Sequence, residues 1–204
     1  MNIEDIEQVT MTGLVPEFEL VTYNPKINDF GKFSLKDQKN KKRWTVLVFY
    51  PADYTFVCPT ELSDFGDKQE ELEKLGVDIL SVNTDTEFVH MAWHREEKLL
   101  SNVFFQMGAD HNGFVSKLFG IYDYKTGLDY RATFIIDSTL HLVASEINSN
   151  NVGRNAEELV RKVKAFIYVT EHPEEVCPAK WKNGDKTITP GSKVVGKVSD
   201  YIKK

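Results

Sequence analysis

The chain of 204 residues predicts an α/β fold, a mixed central β-sheet flanked by helices. Three observations carry that expectation. Two apolar, β-branched runs, Trp44 to Tyr50 and Val77 to Val82, have the continuous pattern of strands buried on both faces. Stretches with helical spacing follow each of them. Two further runs, Ala132 to Asp137 and Leu140 to Ser145, flank Ser138-Thr139 as an antiparallel hairpin, and a third long helical pattern follows.

Taken in order, residues 1–15 are weakly patterned. Pro16 to Val21 alternates like a short strand, Asn24-Pro25 and Asn28-Asp29 mark turns, and Phe30 to Leu35 reads as a pairing strand. Lys36 to Arg43 holds five basic residues and reads as a solvated loop. From Pro59 to Leu75 the apolar positions Leu62, Phe65, Leu72 and Leu75 fall at helical intervals, with Gly76 as the natural stop. A helix is expected from Thr84-Asp85-Thr86 to about Leu100, with Asp85 or Thr86 as N-cap. Phe104 to Met107 reads as a strand, Asp110 to Gly113 as a turn, and Phe114 to Phe119 as a short helix. The last long helix, Asn155 to Thr170, carries Leu159, Val163, Phe166 and Ile167 on one face. After His172-Pro173 the pattern fades. Residues 1–172 are therefore expected as one domain, and residues 173–204 as its mobile tail.

Composition excludes several classes. With 41% apolar and 27% charged residues, 13 Phe and 8 Tyr, the chain can bury a core without disulfide staples. A formal charge of -6 disfavours nucleic acid and acidic membranes as partners. No apolar run approaches the roughly 18 residues of a membrane span. Met1 to Glu7 is acidic and lacks the apolar core of a signal peptide, so a cytoplasmic, reducing location is expected. Neither nucleotide-binding glycine motif occurs. His90 and His94 share a helical face, but Met91 stands where a metalloprotease motif needs Glu, so both read as surface or interface residues.

The two cysteines, Cys58 and Cys177, are too few and too far apart for a disulfide framework, a Cys-x-x-Cys motif or a zinc site. Counts alone leave open that both are inert buried thiols. Cys58 has a more informative setting, between a strand and a helix and directly before Pro59. Proline suits the first helical position, which puts Cys58 at or next to the N-cap, where backbone N–H groups favour a thiolate. Thr55 offers a hydroxyl in the same turn, Pro51 can shield one side of the sulfur, and Arg131 is a candidate cation.

The run Phe49-Tyr50-Pro51-Ala52-Asp53-Tyr54-Thr55-Phe56-Val57-Cys58-Pro59-Thr60-Glu61 resembles the signature of the typical two-cysteine peroxiredoxins, Pro-x-x-x-Thr-x-x-Cys. It is most similar to the bacterial alkyl hydroperoxide reductase C group. Ser81-Val82-Asn83-Thr84-Asp85 with His90-Met91-Ala92-Trp93-His94, Tyr130-Arg131-Ala132-Thr133-Phe134 and Glu175-Val176-Cys177-Pro178-Ala179-Lys180-Trp181 extend the similarity to roughly residues 10–198. The resemblance implies a thioredoxin-like fold with peroxiredoxin additions. It implies a peroxidatic Cys58 and a resolving Cys177 contributed by the partner chain. Thr55 and Arg131 would orient the peroxide, Pro51 would shield the sulfur, and Glu61 would hold the arginine. It implies no bound cofactor, with reducing equivalents arriving from NAD(P)H through a flavoprotein disulfide reductase (alkyl hydroperoxide reductase F type) or thioredoxin. It also implies a homodimer closing into a decameric ring through contacts near Phe88, Val89 and Trp93. Over-oxidation-sensitive members carry a Gly-Gly-Leu-Gly insertion and a C-terminal Tyr-Phe; neither is present, so resistance to sulfinic acid formation is expected. Two other functions stand beside the peroxidase: a redox-switched holdase or structural ring, and a cysteine hydrolase, for which no Cys–His pairing is visible.

Overall fold

The computed structural model describes residues 7–202. The acidic N-terminal run, apart from Glu7, lies outside the described residues, as do Lys203 and Lys204. Among the described residues nine strands and six helices succeed one another: β1 (Glu19–Asn24), β2 (Asp29–Ser34), α1 (Leu35–Asn40), β3 (Trp44–Phe49), α2 (Cys58–Lys74), β4 (Val77–Asn83), α3 (Glu87–Glu96), β5 (Gln106–Ala109), α4 (Phe114–Leu118), β6 (Tyr122–Asp123), β7 (Leu128–Asp129), β8 (Arg131–Ile136), β9 (Leu142–Asn148), α5 (Ala156–Glu171) and α6 (Val198–Ile202). A 3-10 turn, Lys98–Asn102, follows α3.

Seven strands form one sheet in the order β2-β1-β5-β4-β3-β8-β9. β3, β4 and β5 run parallel, whereas β8 is antiparallel to β3 and β1 to β5, so the sheet is mixed as expected. All six residues of β3 are buried, which is why its sequence reads as one unbroken apolar run. One face of the sheet joins a core that includes Phe18, Phe33, Leu47, Phe49, Leu80, Val82, Phe119 and Phe134. Phe119 and Phe134 meet with ring centroids 4.6 Å apart, and Phe49 lies 5.7 Å from each. On this sheet the sequence places β3 beside α2 and the hairpin, so the start of α2 and the start of β8 are the natural meeting point for Cys58 and Arg131.

Several boundaries move. β1 starts three residues later than its alternation suggests, and β5 two residues later. The basic run expected as a loop starts as helix α1, because Ser34 caps Asp37 N (3.4 Å) and Leu35 and Gln38 are buried beneath the lysines. α3 ends at Glu96, where Glu97 accepts from Leu99 N (3.1 Å) and the chain tightens into the 3-10 turn. Thr86 is the N-cap of α3, with no side-chain cap bond. Asp85 instead accepts from Asp53 N at 2.8 Å and from Asn83 Nδ2 at 3.1 Å. The two-stranded ribbon β6–β7 has no counterpart in the sequence pattern.

The chain divides into two compact units, residues 1–155 and 156–204. In the second, Leu159 and Val163 of α5 are buried as expected, and Phe166 and Ile167 are half-buried. The stretch after α5 is more organised than its composition suggests. Val176 and Ile188 form a β-bridge, Trp181 is buried, and Arg161 Nη1 donates to Trp181 O at 3.0 Å. Tyr168 stacks on His172 at 4.2 Å and lies 5.1 Å from the Trp181 ring. Its hydroxyl donates to Glu175 Oε2 (2.8 Å), which also accepts from Thr187. No helix among the described residues is long and apolar enough to cross a membrane.

Candidate active site

Cys58 is the first residue of α2, with Val57 as N-cap and Pro59 second rather than first in the helix. Val57 has helical backbone angles and gives no side-chain cap; its carbonyl receives Thr60 N (3.1 Å) and Glu61 N (3.2 Å). Three residues on, one turn of helix brings Glu61 to the side of Cys58 that faces β8. The thiol is fully buried.

Arg131, the first residue of β8, joins the two. Its Nη1 lies 3.3 Å from Cys58 Sγ and 2.6 Å from Glu61 Oε2. The loop after β9 holds the guanidinium: Asn150 O accepts from Arg131 Nε, and Asn150 Oδ1 accepts from Arg131 N, both at 3.0 Å. A second arginine, Arg154, belongs to no motif legible in the sequence. It donates to Glu61 through N (2.7 Å), Nε (2.9 Å) and Nη2 (3.1 Å), and its Nη1 reaches Ala132 O (2.5 Å) and Thr133 Oγ1 (3.0 Å). Burial works to raise the Glu61 carboxyl, but the hydrogen bonds and charge of Arg154, then the charge of Arg131, hold it below the usual carboxylate range.

Glu61, Arg131 and Arg154 are 2%, 3% and 7% exposed. Two guanidiniums and one carboxylate leave one positive charge in a site shielded from water. Unpaired buried charge is strongly disfavoured, and the same Arg131 Nη1 that meets Glu61 also reaches Cys58 Sγ.

The loop between β3 and α2 is fixed by a second buried network. Asp53 accepts from Tyr50 Oη (2.8 Å) and Asn83 Nδ2 (2.9 Å), and its Oδ2 lies 2.7 Å from His90 Nδ1. His90, expected at the surface or an interface, is fully buried, with Nε2 3.2 Å from Gly108 O. His94 faces Val103 O at 2.9 Å, so the two histidines serve different partners. Burial pushes the Tyr50 phenol well up, and the Asp53 carboxylate it donates to adds to this. Pro51 is buried at the loop's start. Tyr54 takes the left-handed conformation (φ 54°) that turns the chain toward the helix. Thr55 Oγ1 donates to Ala52 O (2.8 Å), so it keeps lone pairs rather than a proton for a ligand.

Cys177 lies in the other unit, half-buried, with Sγ 3.9 Å from Ala165 O. Burial pushes its thiol up, Arg161 opposes, and Glu175 adds to the rise. Phe88 is 63% exposed and meets Phe30 edge to face, with centroids 5.0 Å apart, and Val89 is half-buried beside it. Trp93 departs from the expected contact surface. It is buried under Tyr50 and Tyr54, and can only support such a surface from beneath.

Residues 12–145 match the model of the AhpC/TSA family. The chain belongs to the AhpC/TSA family. Residues 165–204 match a second model, the C-terminal domain of 1-Cys peroxiredoxin. Among curated AhpC/TSA relatives, alkyl hydroperoxide reductase C of Staphylococcus aureus is 46% identical over 181 residues, 89% of this chain and 95% of that one. The crystal structure of Enterococcus faecalis AhpC superposes with a TM-score of 0.78 at 37% identity, covering 84% of this chain and all of that one. The reduced 2-Cys peroxiredoxin of Plasmodium vivax gives 0.86 at 25% identity, covering 93% of this chain and 98% of that one. The mixed sheet with its flanking helices is thus the thioredoxin-like fold of the AhpC/TSA proteins.

Proposed function

We propose that this protein is a thiol peroxidase of the alkyl hydroperoxide reductase C type, reducing hydrogen peroxide and organic hydroperoxides in antioxidant defence. The observation that carries the reading is the bridging position of Arg131, whose Nη1 reaches both Cys58 Sγ and Glu61. A guanidinium beside a buried sulfur, in place of an imidazole, favours attack by a thiolate without general-base help.

The chemistry follows from the residues. The Cys58 thiolate attacks one peroxide oxygen in line with the O–O bond, which breaks. The leaving RO⁻ departs with the bonding pair and takes up a proton to become alcohol or water. Cys58 is left as a sulfenic acid. Arg131 donates to the oxygens as charge moves onto the leaving one, an interaction stronger in the transition state than before it. Thr55, with its proton committed to Ala52 O, accepts from the peroxide O–H, and Pro51 keeps water from the sulfur. Glu61 and Arg154 hold Arg131 in register. Cys177 of a partner chain then displaces hydroxide from the Cys58 sulfenic acid; that hydroxide takes up the cysteine proton and leaves as water, and an intersubunit disulfide forms. A partner reductase, either a flavoprotein disulfide reductase of the alkyl hydroperoxide reductase F type or thioredoxin, reopens it by thiol–disulfide exchange with reducing equivalents from NAD(P)H.

In this reading residues 173–204 act as a tail that delivers Cys177. The protein works as a cytoplasmic homodimer that assembles into a ring through the Phe88 and Val89 surface. The test is peroxide consumption by wild-type protein and Cys58→Ser with the same reductase. Loss of turnover in the variant is expected; undiminished turnover would end the proposal.

A further inference from the structure

The mechanism uses one buried carboxylate, Glu61, and leaves another without a role. Asp129, at the end of β7, is fully buried, and neither of its carboxyl oxygens has a hydrogen-bond partner. The charged group that faces it is a second buried carboxylate, Asp110, in the turn before α4. Between them stands Ser116 of α4. Asp110 accepts from Val115 N (3.2 Å), Ser116 N (2.7 Å) and Ser116 Oγ (2.7 Å). Ser116 thus commits its one hydroxyl proton to Asp110 and has only lone pairs for Asp129. Across the ribbon, Asp129 pairs with Tyr122. Lys117, the cation of α4, is engaged elsewhere, with Nζ 3.1 Å from Asn112 O and 4.6 Å above the Tyr122 ring. A buried carboxyl that meets no donor is stable only as the neutral acid. Burial pushes the Asp129 carboxyl up to about 8; a Ser116 hydroxyl donated to it would oppose this, but that proton is held by Asp110, whose charge adds to the rise.

Asp129 also stands two residues before Arg131. Its carbonyl accepts from Asn150 Nδ2 at 3.4 Å, and the same Asn150 holds Arg131 through N and Nε. The neighbouring Tyr130 N donates to Ile121 O at 2.9 Å, just before the ribbon. Whatever moves β7 away from α4 moves the anchor of the guanidinium at Cys58.

We propose that Asp129 is a positioning residue for the Cys58 site: as a neutral carboxylic acid it holds the start of the Arg131 strand against α4, and its ionisation releases Arg131 from the sulfur. The ionisation places a second negative charge opposite Asp110 with no cation to meet it, and the proton passes to solvent. The kinetic consequence rests on the peroxidase reading, whereas the protonation state does not, and the test separates them.

Infrared difference titration of the reduced protein, from about pH 6 to about pH 9.5, reads the acid directly. A carboxylic C=O band is expected that disappears with a midpoint near 8 and is missing from D129N. No band at neutral pH, or a band that survives in D129N, overturns the neutral acid. Stopped-flow oxidation of Cys58 by hydrogen peroxide, taken as the ratio of wild type to D129N at each pH, cancels the ionisation of the cysteine itself. That ratio is expected to fall about tenfold between pH 7 and pH 9. A flat ratio overturns the positioning role and leaves the peroxidase reading intact. Absence of Cys58 oxidation in wild type at every pH overturns the peroxidase reading, while the infrared result still decides the acid. Should D129N not fold, D110N serves instead. Removing the facing charge lowers the midpoint of the band, and an unmoved midpoint overturns the pairing.

Discussion

Arg131 has a division of labour that a single cation at the protein surface lacks. One nitrogen, Nη1, touches both the sulfur and Glu61, while Nε is tied to Asn150 O. A lysine at this position brings a point charge but cannot hold those directions at once. Arg131→Lys is therefore expected to slow Cys58 oxidation by about 10²–10³-fold, the loss typical of one preorganised donor to developing charge. Stopped-flow oxidation by hydrogen peroxide measures it, and a loss smaller than about threefold would mean that charge alone suffices. The sequence exposes Arg131 because it opens a strand whose apolar pattern is unmistakable, and because motif and strand lie together. It hides Arg154, whose partner Glu61 is 93 positions away and whose own neighbours, Asn150, Asn151 and Asn155, read as ordinary loop chemistry. Only the folded register of β8 and β9 shows that this loop returns to the start of α2.

At the scale of the element, α2 carries two conflicting demands. In the proposed cycle its first turn presents Cys58 to Arg131 and then opens for the sulfur to reach Cys177, because a disulfide needs Cα atoms within about 7 Å. The turn is built for release. Val57 provides no side-chain cap, and Pro59 in second position has no N–H to give. Leu62, Phe65 and Leu72 further along are buried and hold the rest of the helix. Amide hydrogen exchange should therefore show Thr60 and Glu61 opening at lower free energy than residues near Leu72. Equal protection along α2 would contradict an easily released first turn. Legibility follows the same physics. α2, β3 and β4 are plain in the sequence because long apolar periodicity reports burial directly. α1 is hidden because its lysines face solvent while only Leu35 and Gln38 are buried. The β6–β7 ribbon is two residues wide on each side, too short to have a period.

For the whole molecule, the proposed mechanism makes the disposition of Cys177 decide how the cycle closes. The tail is not a featureless tether: it folds on α5 through the Val176–Ile188 bridge, the Arg161 bond to Trp181 O and the Tyr168–Trp181 contact. Cys177 sits inside this hook, with burial holding its thiol protonated to higher pH than usual. Trp181 is 1% exposed, one of the largest fully buried side chains, and anchors the hook. Removing such a ring costs about 3–5 kcal/mol, which here falls on local opening of the tail rather than on the sheet. In a Cys58→Ser background, where Cys177 is the one remaining cysteine, Trp181→Ala is expected to speed reaction of Cys177 with a small aromatic disulfide reagent by at least about tenfold. Far-ultraviolet dichroism close to that of the parent would localise the effect to the tail. An unchanged rate would show that Trp181 does not guard the thiol.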